Sequence, residues 1–319
     1  MQSGELPKKP MKTNALKDHS RQEKRSIRFI VNPFSGRKTN QNISEIIHSA
    51  INSEIYNYEI CLTKSEGHAK QLSREAVEAG IHIVIAVGGD GTINEVASQI
   101  INSETIFGII PVGSGNGLAR HMGIPLSVPK AIQLINESNI TSIDTATINE
   151  KPFVSIAGIG FDALVAEKFS ESNKRGFFSY LRIVIQEYFN YKPRKYVIQF
   201  NDGKRLEVRA FFISFANSSQ FGYNTSIAPH AKLDDGKLDV CIVQKPRIFD
   251  MPTVANLLLL KRIHKSSLVK IIPSSGLQVI RSERAINLDG EAVKLKKKLE
   301  IKVKPLSLKI IIPKNDSKK

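Results

Sequence analysis

The chain predicts an α/β fold, with an N-terminal doubly wound parallel sheet followed by a C-terminal antiparallel β-sandwich domain. Three observations carry this expectation. Between Arg25 and Asn149, short runs rich in Val and Ile alternate with segments whose apolar residues recur at helical spacing, and repeated β-α units demand a parallel sheet covered by helices. After residue 150 long Val-, Ile-, Phe- and Tyr-rich stretches are broken by Asp202-Gly203, Asp235-Gly236 and Asp289-Gly290, pairs that close antiparallel hairpins. Glycine-rich turns also stand at the ends of strand candidates in the first half, where a sharp bend or a close approach to a ligand needs a residue without a side chain. At 319 residues the chain exceeds what one core usually supports. The expected division is a flexible basic tail (1–24), an α/β domain (25–149) and a β-rich domain (150–319) ending in a second flexible basic tail. The two domains are expected to face each other across a cleft.

The first strand candidate, Ile27–Val31, runs into Asn32-Pro33-Phe34-Ser35-Gly36 and then Arg37-Lys38-Thr39. Pro33 blocks further pairing, while Ser35, Gly36 and the basic pair can donate hydrogen bonds to a polyphosphate. The loop resembles the end of a Walker A turn without its upstream glycine, since Val31 stands there, and an ordinary loop is the other reading. A helical stretch at 41–51 leads to strand Tyr56–Leu62 and a helix over 66–79. The run Ile83–Val87 has the composition of a fully buried parallel strand. It enters Gly88-Gly89-Asp90-Gly91-Thr92-Ile93-Asn94 and a helix over 92–102, whose apolar positions are Ile93, Val96, Ala97, Ile100 and Ile101. A strand, a glycine turn and a helix N-terminus together hold phosphate on backbone N–H groups. Asp90 inside the turn repels phosphate, so its natural partner is Mg²⁺ or a proton to be removed. A plain strand-to-helix connection is the bland alternative. Strand Ile106–Ile110 ends in Pro111-Val112-Gly113-Ser114-Gly115-Asn116-Gly117, where Ser114 and Asn116 can reach a phosphate, a ribose or a hydrated metal. A helix over 127–136 and strand Thr141–Ile148 complete the first half. All three loops fall at carboxyl ends of strands, where such sheets bind ligands.

In the second half, segments Lys195–Phe200 and Leu206–Phe215, joined through Asn201-Asp202-Gly203, form a hairpin, and helices are expected over 162–190 and 250–264. The net charge of +16 is end-loaded: residues 1–25 carry +4 and residues 292–319 carry +8. That distribution suits an anionic phospholipid surface or nonspecific nucleic-acid contact. No zinc-finger spacing, recognition-helix signature or aromatic-basic ribonucleoprotein motif supports nucleic acid. Cys61 and Cys241 have no metal-ligand spacing and read as buried thiols of a reducing compartment. The seven histidines show no paired metal spacing. The first 25 residues lack the apolar core of a signal peptide, and Val254–Leu260 is too short to span a bilayer, so a cytoplasmic location is expected.

Taken together, NPFSGRK (32–38), VGGDGTINEV (87–96), PVGSGNGLAR (111–120), SID (142–144), AGIGFDA (157–163) and LDGE (288–291) resemble the diacylglycerol kinase catalytic family. The similarity is to its branch of soluble bacterial lipid kinases and sphingosine kinases, and covers about residues 26–313. GGDGT alone is shared with NAD kinases and phosphofructokinases. The resemblance implies ATP- and Mg²⁺-dependent transfer of a γ-phosphate to a lipid hydroxyl. It places Asn32, Pro33, Ser35, Gly36, Thr63, Gly88, Gly89, Asp90, Gly91, Thr92, Asn94 and Ser114 at the nucleotide, beside Asn116 from the loop reading. It further implies that Asp90 and Asp144 belong to the network holding the catalytic Mg²⁺, that Glu291 is the general base and that Asp289 is its acidic neighbour. Lys232 and Lys237 through their carbonyls, with the Asp235 carboxylate, match a structural magnesium site, although Asp234-Asp235-Gly236 is also a good hairpin turn by itself. Phe161, Phe177, Phe178, Tyr180 and Phe189 either pack the core or line a lipid-tail pocket. The chain departs from many bacterial diacylglycerol kinases at Gly117, where they carry an acid, which leaves diacylglycerol, a sphingoid base and a related hydroxyl lipid all open. The implied partners are the lipid substrate and an anionic membrane surface, visited transiently at its inner face, and a homodimer is compatible with the family. A soluble-metabolite kinase of the NAD kinase type and a non-catalytic nucleotide or lipid sensor are the rival readings.

Overall fold

The computed structural model describes residues 24–36, 42–172, 176–222 and 225–314. Residues 1–23, Arg37-Lys38-Thr39 and the last five residues, on which parts of the tail and first-loop expectations fall, lie outside the described residues.

Strands β1 (Arg25–Val31), β2 (Tyr56–Leu62), β3 (Ile83–Gly88) and β4 (Ile106–Pro111) pair in parallel in the order β2-β1-β3-β4. Every residue of β3 is buried, which is why its sequence is continuously apolar rather than alternating. Helices α1 (Ile43–Ala50), α2 (His68–Glu78), α3 (Asp90–Ile100), α4 (Gly117–His121) and α5 (Val128–Glu137) follow in turn. The pairs α1 with α5 and α2 with α3 pack on each other.

The next strand departs from expectation. β5 (Ile140–Ile148) does not extend the parallel array; it runs antiparallel to β18 (Lys298–Ile311). The end of β18 in turn lies parallel to β4 through Ile310 and Phe107. Its beginning pairs with β15 (Gly276–Ile280), which continues to β8 (Arg194–Phe200) and β9 (Arg205–Ala210). One ten-stranded sheet, to which β6 (Lys151–Phe153) also belongs, therefore runs from the α/β half into the β-rich half. The hairpin through Asn201-Asp202-Gly203 is the β8–β9 pair.

A second, wholly antiparallel sheet has the order β14 (Val269–Ser274), β13 (Leu238–Val243), β10 (Phe212–Ala216), β7 (Ile156–Gly160), β16 (Ala285–Leu288) and β17 (Glu291–Lys294). The two sheets share one core, in which Phe153, Tyr196, Ile198 and Leu299 meet Ile159, Phe215 and Val240, as in a sandwich. A short ribbon, β11 (Gln220–Gly222) with β12 (Thr225–Ser226), leaves this sheet toward α4.

The helix expected over 162–190 is two helices, α6 (Phe161–Ser170) and α7 (Phe177–Asn190), with Gly176 at φ 104° entering the second. A left-handed φ of that kind interrupts an α-helix and favours glycine. The helix near 250–264 shortens to α8 (Met251–Leu259), flanked by 3₁₀ turns at Ile248–Asp250 and Ile263–Lys265. Phe161 is buried and stacks on Phe211, whereas Phe178 and Phe189 are 85% and 63% exposed and pack no core; the Phe177 side chain lies outside the described residues. Cys241 is buried and Cys61 only half-buried, so the expectation of two buried thiols holds for one. Among the described residues no helix is long and apolar enough to cross a membrane.

Candidate nucleotide and acceptor site

Three loops at the carboxyl ends of β1, β3 and β4 meet backbone to backbone, and their glycines are what lets them. A Cβ on Gly36, which has φ 64°, would lie 2.3 Å from the Val112 carbonyl oxygen. One on Gly113 would lie 2.5 Å from the Gly89 Cα, and one on Gly88 would strike the Thr92 side chain at 2.5 Å. Gly91, in the first turn of α3, has nothing within 4 Å of the Cβ position, so space for an approaching group lies beside this helix start. Asn32 joins the first two loops: its Nδ2 donates to Thr92 Oγ1 (3.0 Å), and its Oδ1 accepts the Phe34 N–H (2.9 Å). Thr63 stands buried at the end of β2, its N–H donating to the Val31 carbonyl. Asn116, at φ 54°, donates from Nδ2 to the Gly113 carbonyl (2.7 Å) and shapes the third loop. Ser35 is half-buried, Pro33 and Ser114 are exposed, and Asn94 is buried on α3.

Asp90 opens α3, but its carboxylate crosses to the third loop, where Oδ2 accepts the Asn116 N–H (2.9 Å) and Oδ1 the Gly117 N–H (2.7 Å). It thus caps α4, a helix the sequence reading missed because five residues carry too little periodicity. A Cβ on Gly115 would lie 2.5 Å from Asp90 Oδ2, and one on Gly117 would lie 3.3 Å from the Gln220 carbonyl and 3.7 Å from Asp90 Oδ1, so a side chain at position 117 requires β11 to give by a few tenths of an ångström. Burial pushes the Asp90 carboxyl up, against the opposing N–H groups of Gly117 and Asn116 and the charge of Arg120.

Asp289 and Glu291 come from the β16–β17 hairpin of the other half. Asp289, at φ 47°, accepts three backbone N–H groups, from Val154 (2.7 Å), Ser155 (2.9 Å) and Ile156 (2.7 Å). Burial nevertheless raises its carboxyl to about 6, with the Asp90 charge acting in the same direction. Glu291 is raised to about 7, first by burial and then by the carboxylates of Glu95, Asp289 and Glu66, with Lys70 opposing. Glu95, Glu66 and Lys70 lie on or just before α2 and α3, and Asp90 acts on Asp289, so the hairpin acids of the second half face the starts of α2 and α3 in the first. Glu95 itself holds the start of α2, accepting the Gly67 and Lys70 N–H groups at 3.1 and 3.3 Å.

Asp144 is fully buried, and its hydrogen bonds run elsewhere: Oδ2 accepts the Gly236 N–H (2.7 Å) and Oδ1 the Leu306 N–H (2.8 Å). It ties the 232–237 turn to the register break in β18 between Lys304 and Leu308. In that turn Asp235 Oδ1 accepts the Lys237 N–H (3.0 Å), while Lys232 and Lys237 are exposed. Among the described residues no cluster of three or more His, Cys, Asp or Glu side chains could hold a metal ion. Each Asp90 oxygen, accepting one N–H, still keeps acceptor capacity for water of a hydrated cation; Asp144, fully buried, does not present such an oxygen to solvent.

Sequence reasoning gave no role to Asp162, yet it underlies the acidic hairpin. Its Oδ2 accepts from Asn287 Nδ2 (3.0 Å), and Asn287 Oδ1 accepts the Gly290 N–H (2.9 Å), fixing the turn between Asp289 and Glu291. Asp162 is pushed up to about 6 by burial, with the Asn287 bond opposing. A Cβ at Gly158 would fall 1.8 Å from Asp162 Oδ2, which explains the first glycine of AGIGFDA. His121 Nδ1 accepts the Ser219 N–H (3.1 Å) and lies 2.7 Å from Ser219 Oγ, closing the wall between α4 and β11. Burial and Lys261 bring this imidazole down to about 4, so it is neutral at physiological pH.

The family model described as the diacylglycerol kinase catalytic domain matches residues 26–148, and the YegS C-terminal NAD kinase beta sandwich-like domain matches residues 155–312. The chain is 31% identical over 257 residues to the "Probable lipid kinase YegS-like" of Pseudomonas aeruginosa, covering 79% of this chain and 83% of that protein. It is 28% identical over 273 residues to the diacylglycerol kinase of Bacillus subtilis, covering 83% and 89%. A match to the YegS-like protein of Chromohalobacter salexigens reaches 35% identity over 189 residues, 57% of this chain and 60% of that one. The fold is similar to a crystal structure of a diacylglycerol kinase from Bacillus anthracis at TM-score 0.72 and 20% identity, over 91% of this chain and 97% of that chain. With its glycine loops, its acidic hairpin and these matches spanning both halves, the chain belongs to the diacylglycerol kinase catalytic-domain family, in the lipid-kinase branch with the YegS-type C-terminal domain.

Proposed function

We propose that the protein is an ATP- and Mg²⁺-dependent kinase that transfers the γ-phosphoryl group to the hydroxyl of a membrane lipid, diacylglycerol or a sphingoid-type alcohol, with Glu291 as general base. The observation that carries this reading is Glu291 itself: a carboxyl raised to about 7 beside Glu95 of α3 and Glu66, on the hairpin whose Asp289 feels Asp90 of the second glycine loop. A base near neutral pKa is matched to taking an alcohol proton at working pH.

In this reading the helix start at Gly91 and Thr92, with Asn32, Ser35, Gly36 and Ser114, donates to the phosphates, and Thr63 and Asn94 support the nucleotide end. Placement and electrostatics, rather than covalent chemistry, supply most of the barrier reduction. The lipid oxygen bonds to the γ-phosphorus as Glu291 takes its proton, and the bond to the bridging oxygen breaks to release ADP. Asp289 and the Asp162–Asn287 relay keep the Glu291 hairpin in register. Asp90 would hold Mg²⁺ through its water ligands, and the bound ion would neutralise charge on the phosphate oxygens. Asp144 holds the turn of Lys232, Asp235 and Lys237, where a second, structural ion would sit. The Gly117 wall against Gln220 leaves the site without the acid many relatives carry, so a substrate alcohol other than diacylglycerol stays within the proposal. A substrate that lives in the bilayer requires transient contact with an anionic membrane surface.

The test is labelled ATP with a panel of diacylglycerol, sphinganine, total bacterial lipid and NAD. Labelled lipid is expected; transfer to NAD alone overturns the reading. Glu291→Gln is expected to lose turnover and to bind ATP normally, and unchanged turnover removes Glu291 from the mechanism.

A further inference from the structure

Helix α7 is apolar on two sides. Its inner side, with Tyr180, Ile183, Val184 and Tyr188, packs on Phe161, Val165 and Phe211. Leu181, Ile185 and Phe189 recur at helical spacing on the opposite side, 38%, 53% and 63% exposed, and Phe178 at 85% extends the row. Ser179, Arg182, Gln186 and Asn190 take the remaining side, so the exposed row is a second apolar stripe beside a polar one, the pattern of an interaction surface. Beside it the 3₁₀ turn at Ile248–Asp250 presents Phe249 at 92% exposure and Ile248 at 57%. That turn is fastened to α7: the Tyr188 hydroxyl donates to the Pro246 carbonyl, and Lys245 Nζ donates to the Tyr191 carbonyl at 2.8 Å.

The C-terminal end of the row runs into a depression of about 670 Å³. Lys192, Arg194, Lys195 and Arg209 line it together with neutral residues, and no acid does. Of the nearby acids, Glu283 accepts the Ser282 and Tyr196 hydroxyls, Glu187 lines an adjoining hollow with Arg194, and the Asp250 carboxylate accepts the Arg247 N–H. Large apolar and aromatic side chains above a ring of cations match the layers of a bilayer with anionic headgroups. A two-fold contact centred on this patch would set these four cations near their own equivalents, which disfavours a second copy of the chain as its occupant. Helix α7 packs on α6, which packs on the β16–β17 hairpin that carries Glu291.

We infer that the outer face of α7 and the Ile248–Asp250 turn dock on an anionic lipid bilayer, with the cations around Arg194 taking the headgroup phosphates. This rests on the lipid-kinase reading and moves the main membrane contact away from the basic chain ends. The full chain is sedimented with vesicles of phosphatidylcholine containing about a third phosphatidylglycerol, and with pure phosphatidylcholine. Turnover is measured in parallel on a short-chain lipid alcohol dispersed in detergent. Ile185→Ala with Phe249→Ala should lower vesicle partition at least roughly tenfold. Arg194→Gln, Lys195→Gln and Arg209→Gln together should lower it on the order of a hundredfold at low salt, with less effect at high salt. Detergent turnover and melting temperature should stay at the parent level. Parent-level vesicle binding by both variants overturns the proposal, as does a change in oligomeric state without vesicles. Vesicle binding through this surface without lipid phosphorylation sinks the kinase reading instead, and phosphorylation without vesicle binding sinks the docking surface alone.

Discussion

The elevated Glu291 carboxyl makes a quantitative claim about rate. With the group raised to about 7 by burial and by Glu95, Asp289 and Glu66, about a tenth is ionised one pH unit below that value and about nine-tenths one unit above. The value of kcat/KM for the lipid should therefore rise roughly tenfold between about pH 6 and pH 8, with no such rise in Glu291→Gln. The perturbation that isolates the cause is Glu95→Gln. It removes the first neighbouring charge acting on Glu291 and leaves one oxygen, which keeps one of the two bonds that Gly67 N–H and Lys70 N–H make to separate Glu95 oxygens. Loss of a like charge at this range should move the midpoint acid-ward by about half to one pH unit. Turnover of a detergent-dispersed acceptor at saturating ATP, followed by coupled ADP release from about pH 5.5 to 9, provides the profile. A midpoint unmoved in Glu95→Gln, or a profile flat across neutrality in the parent, refutes the placement of Glu291 as a base coupled to α3.

Further outcomes follow from the same contacts. Gly91→Ala should hold or raise the melting temperature, since Ala is favoured by about 0.5–1 kcal/mol inside a helix and nothing obstructs it there, yet raise KM for ATP. Gly113→Ala, whose Cβ meets Gly89 at 2.5 Å, should instead cost about 1–3 kcal/mol in thermal or denaturant unfolding. Asp144→Ala strands the buried N–H groups of Gly236 and Leu306 and should cost roughly 2–6 kcal/mol by denaturant titration; an unchanged midpoint would contradict its role as a tie. Asp162, raised from 3.8 to about 6 by burial, binds its proton more tightly folded than unfolded. Its contribution to stability is therefore full below about pH 4 and lost as pH rises through about 6. Asp162→Asn should remove about 1.4 kcal/mol of the difference in unfolding free energy between about pH 5 and pH 7.5; a pH dependence equal to the parent's would count against it.

The first half of the fold was legible because its signals are local. Ile83–Val87 is apolar throughout since β3 is buried on both faces, and each glycine loop follows its strand directly in sequence. What stayed hidden depends on distant partners. The Thr141–Ile148 strand reads like its predecessors, and only its pairing with β18 reveals its antiparallel direction. Gly176 looks tolerable inside an apolar helix until its φ of 104° is seen to break it. At the site, the residue types of Asp90, Asp289 and Glu291 were readable, but not that Asp90 spends its oxygens on the α4 N-terminus. Asp162 carried no signal either, because its meaning lies in Asn287, 125 positions away. Phe178 and Phe189 misled for the opposite reason: hydrophobicity marks a side chain that avoids water, without saying whether protein or lipid covers it.

The last strand also sets a schedule for assembly. β18 lies against β4 and β5, whose residues leave the ribosome about 150–200 positions before it, and contacts of such long range slow folding. The α/β half should therefore wait, one edge of its sheet open, until the residues of β18 have been translated. Chaperone occupancy on nascent chains is expected to persist through that interval and to fall once Leu308 to Ile311 emerge and close the edge.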